Sequence, residues 1–381
     1  MNRIVLAALA AIAIAGAQTP ASSNVPGAEY PAVHPDRRVT FRIAAPSAQK
    51  VQLMPGGDDN GLGKGPFEMA RDDKGVWTVT IPPAVPGFHY YWFLVDGVPS
   101  NDPGSRAFFG WSKDSSGVDV PDSAASFYEV KDTPHGEIRI HWYYSKVTAM
   151  WRRIHVYTPP GYDSGKSRYP VLYLQHGAGE NDSSWPNQGR AGFILDNLIA
   201  ERKAVPMIVV MENGMVAPRA GFVPPADGAR GPNRRNEAFG DLVTTELIPM
   251  VDATYRTQAD RAHRAIAGLS MGAGQAMQIG LANLDLFCAI GSFSGGAARN
   301  FDAKTSNGGV FADADAFNKK VRVFWIGAGS AEPPRSTAAK AMVEGLNQAG
   351  IHAVWFESPG TSHEWQTWRK SLYDFAPRLF R

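Results

Sequence analysis

The chain has a single cysteine, Cys288, in 381 residues, which excludes an intramolecular disulfide and any cysteine-built metal centre and leaves stability to packing. Charge is sparse as well, at 19% of residues, and 38 Lys and Arg nearly cancel 36 Asp and Glu to give a net charge of +2. So balanced a chain has no general attraction for a nucleic-acid backbone or an anionic membrane. Beyond the first seventeen residues no apolar run reaches the length of a membrane span. What is plentiful is material for cores and turns. Hydrophobic residues are 44%, with 19 Phe, 12 Tyr and 10 Trp, which rules out wholesale disorder. The 39 Gly and 28 Pro suit many turns between short strands. The length is too great for one ordinary domain and comfortable for two.

Met1, Asn2 and Arg3 precede an uncharged stretch from Ile4 to Ala17 that ends in Ala15-Gly16-Ala17. A basic start, a short apolar segment and an A-x-A site predict a signal peptide over 1–17, cut near Ala17/Gln18, and a secreted or periplasmic mature chain. From 28 to 130, short strands alternate with Pro/Gly turns. In Val76 to Ile81, apolar Trp77, Val79 and Ile81 alternate with Thr78 and Thr80, and the aromatic run Phe88 to Val95 ends at Asp96-Gly97, a hairpin signal. This pattern predicts an immunoglobulin-like β-sandwich. The aromatics of Phe88 to Phe93 fall on both sides of their strand, so some are core, and the domain either binds glycan directly or docks on its neighbour. From 131 to 381, strands alternate with helices: Arg153 to Thr158, Pro170 to Gln175, Met207 to Met211, His263 to Leu269, Ala289 to Phe293, Val321 to Ile326 and His352 to Glu357, with helices expected over 237–254 and 272–284 among others. That rhythm predicts a mostly parallel sheet covered on both faces, the α/β class. The segment Glu212 to Asn236 is the longest without structure, and its Arg230, Arg234 and Arg235 read as a solvated face or an anion site.

Gly268-Leu269-Ser270-Met271-Gly272 stands between an apolar strand and a helix, the context of a nucleophile elbow, where the tight turn needs small residues two positions either side of the serine. A serine hydroxyl needs a base to take its proton and a third group to hold that base. Of the histidines, His34 and His89 lie in the β domain, His135 and His141 precede the sheet, and His155, His263 and His352 sit in or beside strands. His363 lies in the loop after the last strand, from which an imidazole reaches the top of the sheet. The acid is expected after the strand Val321 to Ile326, where the loop offers Glu332; Asp302, Asp313 and Asp315 come before it and fit less well. Oxyanion donors are expected at the amides of Met271 and Ala178, the latter in His176-Gly177-Ala178-Gly179, which leaves His176 a structural role. The steps need no metal and no cofactor. Trp185, Phe222 and Trp365 are candidates to line a flat apolar pocket, with a core position as the alternative for each. Cys288 enters an apolar strand and reads as a small buried hydrophobe.

Together these residues resemble carbohydrate esterase family 1, the feruloyl and acetylxylan esterases of the α/β-hydrolase fold, related to esterase D and the mycobacterial mycolyltransferases. The likeness rests on Pro134-His135-Gly136, Tyr157 to Tyr162, Tyr173 to Glu180, Ile194 to Ile199, the elbow and His363-Glu364-Trp365. Pro86 to Tyr91 and Asn101-Asp102-Pro103 look like the family 48 carbohydrate-binding module. The resemblance implies Ser270 as nucleophile and His363 as base, and it departs from this chain at the acid, an Asp in the family where Glu332 stands here. It implies a secreted serine esterase acting on hydroxycinnamate esters of arabinoxylan, with small aromatic esters as further substrates. An acetylxylan esterase, an acyltransferase and a non-catalytic carbohydrate-binding protein are the rival readings. No nucleic acid or membrane partner is expected.

Overall fold

The computed structural model describes residues 18–57, 61–122, 126–216, 234–296 and 301–381. The expected leader, Phe222 and Arg230 lie outside the described residues. The amino-terminal unit is a sandwich of two antiparallel sheets. One runs Thr19–Pro20, Ala32–Val33, Val39–Ala44, Val76–Ile81, Ala70–Arg71; the other runs Ala107–Gly110, Lys113–Val120, Gly87–Val95, Val51–Pro55, Phe67–Glu68, with Val98–Ser100 beside Gly87–Val95. Alternation along the strands sends Phe41, Leu53, Trp77, Tyr91, Phe93 and Val118 into one buried cluster between the sheets. Asp96 and Gly97 make the hairpin turn with φ of 48° and 84°. In Gly87–Val95 the alternation has a second payload. Tyr91 and Phe93 point into the sandwich, while Phe88 and Tyr90, of opposite parity, are buried in a cluster shared with the second unit.

That unit is built on eight strands: β1 (Glu137–Ser145), β2 (Met150–Thr158), β3 (Val171–Gln175), β4 (Ile208–Glu212), β5 (Arg264–Leu269), β6 (Ala289–Phe293), β7 (Val323–Gly329) and β8 (Ala353–Ser358). Their spatial order is β1-β2-β4-β3-β5-β6-β7-β8. β1 and β2 form an antiparallel pair, β2 is antiparallel to β4, and β4 through β8 are parallel. The helices are α1 (Ala191–Ala200), α2 (Arg234–Leu242), α3 (Ile248–Thr254), α4 (Met271–Ala282), α5 (Ala314–Lys320), α6 (Arg335–Gln348) and α7 (Trp365–Phe375). Strands β3 to β6 are apolar almost throughout because both faces are covered. Leu172, Leu174 and Trp325 pack with α1 and α7 on one side; Tyr173, Ile266 and Phe324 pack with α4 and α6 on the other. This is an α/β-hydrolase fold preceded by an immunoglobulin-like β-sandwich, as the sequence predicts.

Two expectations need correction. His141 does not precede the sheet but lies in β1, an edge strand whose Ile138, Ile140, Trp142 and Tyr144 are exposed, so the usual contrast of buried and wet faces is missing from its sequence. The helix expected over 237–254 is two helices, α2 and α3, joined by a π-helical stretch at Val243–Leu247. Pro249 lacks an amide hydrogen and its ring crowds the preceding turn, which accounts for the widened segment just before it.

Candidate active site

β5 ends at Leu269 and α4 begins at Met271, so Ser270 alone makes the turn, with φ 51° and ψ −111°. A residue with a Cβ is strained in that conformation, and its surroundings must hold it there. The flanking glycines are steric requirements. A Cβ on Gly268 would come within 2.5 Å of the Gly272 backbone, and one on Gly272 within 2.4 Å of the His176 carbonyl oxygen. The Ser270 N–H donates to the Phe293 carbonyl at 2.9 Å, tying the elbow to β6.

His363, between β8 and α7, reaches Ser270 Oγ with Nε2 at 2.9 Å and Glu332 Oε2 with Nδ1 at 2.8 Å. An ionised carboxylate only accepts, so Nδ1 carries the proton and Nε2 is left to accept from the serine hydroxyl. The other glutamate oxygen accepts from the Ser294 hydroxyl and the Gly329 N–H, each at 2.6 Å, so the carboxylate is buried and held at both oxygens. β7 runs three residues past the expected Ile326, to Gly329, and delivers Glu332 just beyond its end. The structure thus brings Ser270, His363 and Glu332 into one chain of hydrogen bonds.

Met271 is the first residue of α4, where helical amides have no partner within the helix. Ala178 lies in the loop after β3, and both Ala178 and Gly177 line the cavity above Ser270. His176 underpins that loop. Its Nε2 accepts from the Gly214 N–H at 3.0 Å and its Nδ1 donates to the Gly177 carbonyl at 2.7 Å, while burial lowers its pKa and keeps it neutral. Glu180 closes the loop from the other end. One of its carboxyl oxygens accepts from the Gly177 N–H at 3.0 Å and the other from the Tyr90 hydroxyl at 3.2 Å; burial pushes its pKa up to about 7.

A cavity of about 480 Å³ opens over Ser270, and both units wall it: Leu269, His363, Trp365 and Trp368 on the hydrolase side, Phe88, Tyr90 and Trp111 on the sandwich side. Trp365 lines it as expected. Trp185 does not: it is buried in the core behind the cavity, edge-on to Trp365, with its indole N–H satisfied by the Gln175 carbonyl at 2.9 Å. Which sandwich residues reach the cavity is not written locally, because nothing in a strand says which surface it will meet. The signal that could have found them is the double-sided aromatic run from Phe88 to Phe93. Gly56 and Gly57 are a second trace, since a Cβ on either would come within 3 Å of the Trp111 ring.

Docking of the sandwich is polar and buried. Arg369 of α7, fully buried, donates to both oxygens of Asp119 and to the Gln188 carbonyl, and Arg190 also reaches Asp119. Burial works against ionisation of Asp119, but the two guanidinium groups outweigh it and hold the carboxyl below its ordinary range. Gln366 donates to Asp122 at 2.6 Å, and Asn197 to the Phe127 carbonyl at 2.9 Å.

Fold and site together define a protein of the α/β-hydrolase class. Residues 145–379 match the family model described as putative esterase, and residues 27–106 match carbohydrate-binding module 48, the isoamylase N-terminal domain. The chain belongs to this esterase family. It is 39% identical over 368 residues to an endo-1,4-beta-xylanase/feruloyl esterase of Xylanibacter ruminicola, covering 95% of this chain and 47% of that protein. It thus spans about half the length of that curated relative. Among solved structures, it resembles a ferulic acid esterase of Anaeromyces mucronatus, with TM-score 0.55 and 25% identity over 68% of this chain and 96% of the other. The enterobactin esterase of Shigella flexneri, at 17% identity and TM-score 0.60 over 88% of this chain and 92% of the other, shares the fold.

Proposed function

We propose that the protein is a secreted serine esterase that releases hydroxycinnamate, ferulate foremost, from arabinoxylan of plant cell walls. The observation that carries the reading is the Glu332–His363–Ser270 chain of hydrogen bonds at the floor of a cavity walled by aromatic rings. Ser270 attacks the ester carbonyl as His363 takes its proton, and Glu332 stabilises the imidazolium and holds the ring in the productive tautomer. The amides of Met271 and Ala178 receive the oxyanion. As the carbonyl re-forms and the C–O bond to the sugar breaks, His363 gives its proton to the departing sugar oxygen, and water then attacks the acyl-enzyme with the roles reversed. The rings of Phe88, Trp111 and Trp365 suit a flat aromatic acyl group better than an acetyl group, and the names of the Xylanibacter and Anaeromyces relatives support the same choice.

The test is hydrolysis of methyl ferulate, acetylated xylan and p-nitrophenyl acetate side by side, with Ser270→Ala as control. Preference for methyl ferulate and an inactive Ser270→Ala are expected; preference for acetylated xylan, or acyl transfer to a sugar acceptor, would replace the proposed reaction. Export rests on residues 1–17, and a mature amino terminus near Gln18 in secreted protein is the expected outcome of amino-terminal sequencing.

A further inference from the structure

The oxyanion loop, residues 177–180, is gripped from outside its own unit. Its Gly179 carbonyl accepts the Ser112 N–H at 2.8 Å, and an added Cβ on Gly179 would lie 3.4 Å from the Ser112 nitrogen and the Trp111 Cα. Trp111 and Ser112 form the tip of the hairpin joining Ala107–Gly110 to Lys113–Val120, and both have left-handed φ, 59° and 60°, without being glycine. Such a tip is strained on its own, so docking must offset that strain. The second grip is Tyr90. Its hydroxyl accepts from Gln188 at 2.6 Å and from the Trp365 indole at 3.2 Å, and donates to Glu180, whose other oxygen takes the Gly177 N–H. Gly177 sits in tight quarters, where an added Cβ would come 2.6 Å from a Leu269 methyl and 3.3 Å from Glu180 Oε2. A glycine is conformationally permissive, and its dihedrals aim the next amide, that of Ala178. Something other than the residue itself must fix that aim.

We infer that the β-sandwich is a positioning element for catalysis: through Tyr90 acting on Glu180, and through Ser112 acting on Gly179, it holds the oxyanion loop in its receiving conformation. This rests on the esterase reading above. A misaimed donor weakens the transition state and leaves substrate binding alone, so the defect belongs in kcat.

The experiment uses the full chain and p-nitrophenyl acetate, whose acetyl group has no need of the aromatic wall. Glu180→Ala should lower kcat by roughly 10- to 100-fold with KM within about twofold, a fraction of what losing an oxyanion donor outright costs. Glu180→Gln keeps an oxygen for the Gly177 N–H and should recover to within about threefold, whereas Tyr90→Phe should lose about fivefold. A trifluoromethyl ketone, which forms the oxyanion on the serine, should bind more weakly in proportion to kcat, while ferulate binds as before. The inference is overturned if Tyr90→Phe or Glu180→Ala keeps its kcat, or if Gln is no better than Ala and ferulate binding falls alongside. Activity surviving in Ser270→Ala overturns the esterase reading instead, so the two failures are distinguishable.

Discussion

The two walls of the cavity are held by different physics. On the hydrolase side the reacting groups hang from short backbone geometry: a one-residue elbow at Ser270, a three-residue step from β7 to Glu332, and a loop that carries His363 between β8 and α7. On the sandwich side Phe88, Tyr90 and Trp111 are held by side chains that cross between units, Arg369 to Asp119 and Gln366 to Asp122. The difference teaches a division of labour. Nucleophile, base and acid are fixed by the hydrolase unit's own backbone, which tolerates little error, whereas cavity shape and the aim of the oxyanion loop are set by docking, which can be altered without touching the nucleophile.

The sharpest way to separate the walls is to remove the nucleophile. Ser270→Ala should cut kcat/KM on any ester by about four orders of magnitude or more while leaving ferulate affinity, read by fluorescence quenching, within about twofold. Glu332→Gln should cost nearly as much, about a thousandfold, for a reason visible in its contacts. The Ser294 hydroxyl and Gly329 N–H both donate to one oxygen, so the amide oxygen is pinned there and its NH2 faces His363, forcing the wrong tautomer. Burst kinetics with a chromogenic ester will show whether acylation is the step lost. Breaking the other wall should show as stability first. Arg369→Met strands a buried Asp119 carboxylate with only Arg190 for company and should cost about 3 kcal/mol in urea unfolding, most of it recovered by adding Asp119→Leu.

Acid should loosen the same wall. His89 is wholly buried near Glu364, with Asp119 and Arg369 also acting on it, and burial lowers its pKa from 6.5 to about 4. The unfolded chain therefore takes up a proton that the folded chain refuses. Stability from this group is present above pH 6.5 and lost as pH falls toward 4, by up to about 3 kcal/mol. His89→Gln should flatten that part of a pH–stability curve; an unchanged slope would assign the acid sensitivity elsewhere. The smallest effect is the most selective one. Trp111→Ala should raise KM for methyl ferulate about fivefold and lower p-nitrophenyl acetate kcat by less than about twofold, because the grip on Gly179 comes from the Ser112 backbone N–H, which the substitution keeps.

How legible the molecule is from its sequence follows the same division. The elbow is readable because its glycines, serine and flanking strand and helix are contiguous, and His363 and Glu332 are readable because loops after particular strands of this fold meet at one end of the sheet. Trp185 shows the limit: indoles that line a cavity and indoles that sit behind one have the same local pattern, and only the Gln175 carbonyl behind the cavity separates this one from Trp365. Tyr90 is legible only as part of a double-sided aromatic run whose partner the sequence does not name, Trp111 only through the glycines beside its ring, and β1 escapes because exposed isoleucines and aromatics erase the contrast on which strand periodicity depends.

Helix α7 begins two residues after His363, and Arg369 follows four residues after Trp365, a rise of about 6 Å or one turn. The socket for the sandwich therefore sits one turn along the helix that the His363 loop leads into. In terms of inheritance and engineering, the sandwich is not a cassette that can be exchanged at the linker: a chimera carrying a foreign module has to bring a matching face for Gln366 and Arg369, or it leaves a buried guanidinium without its carboxylate.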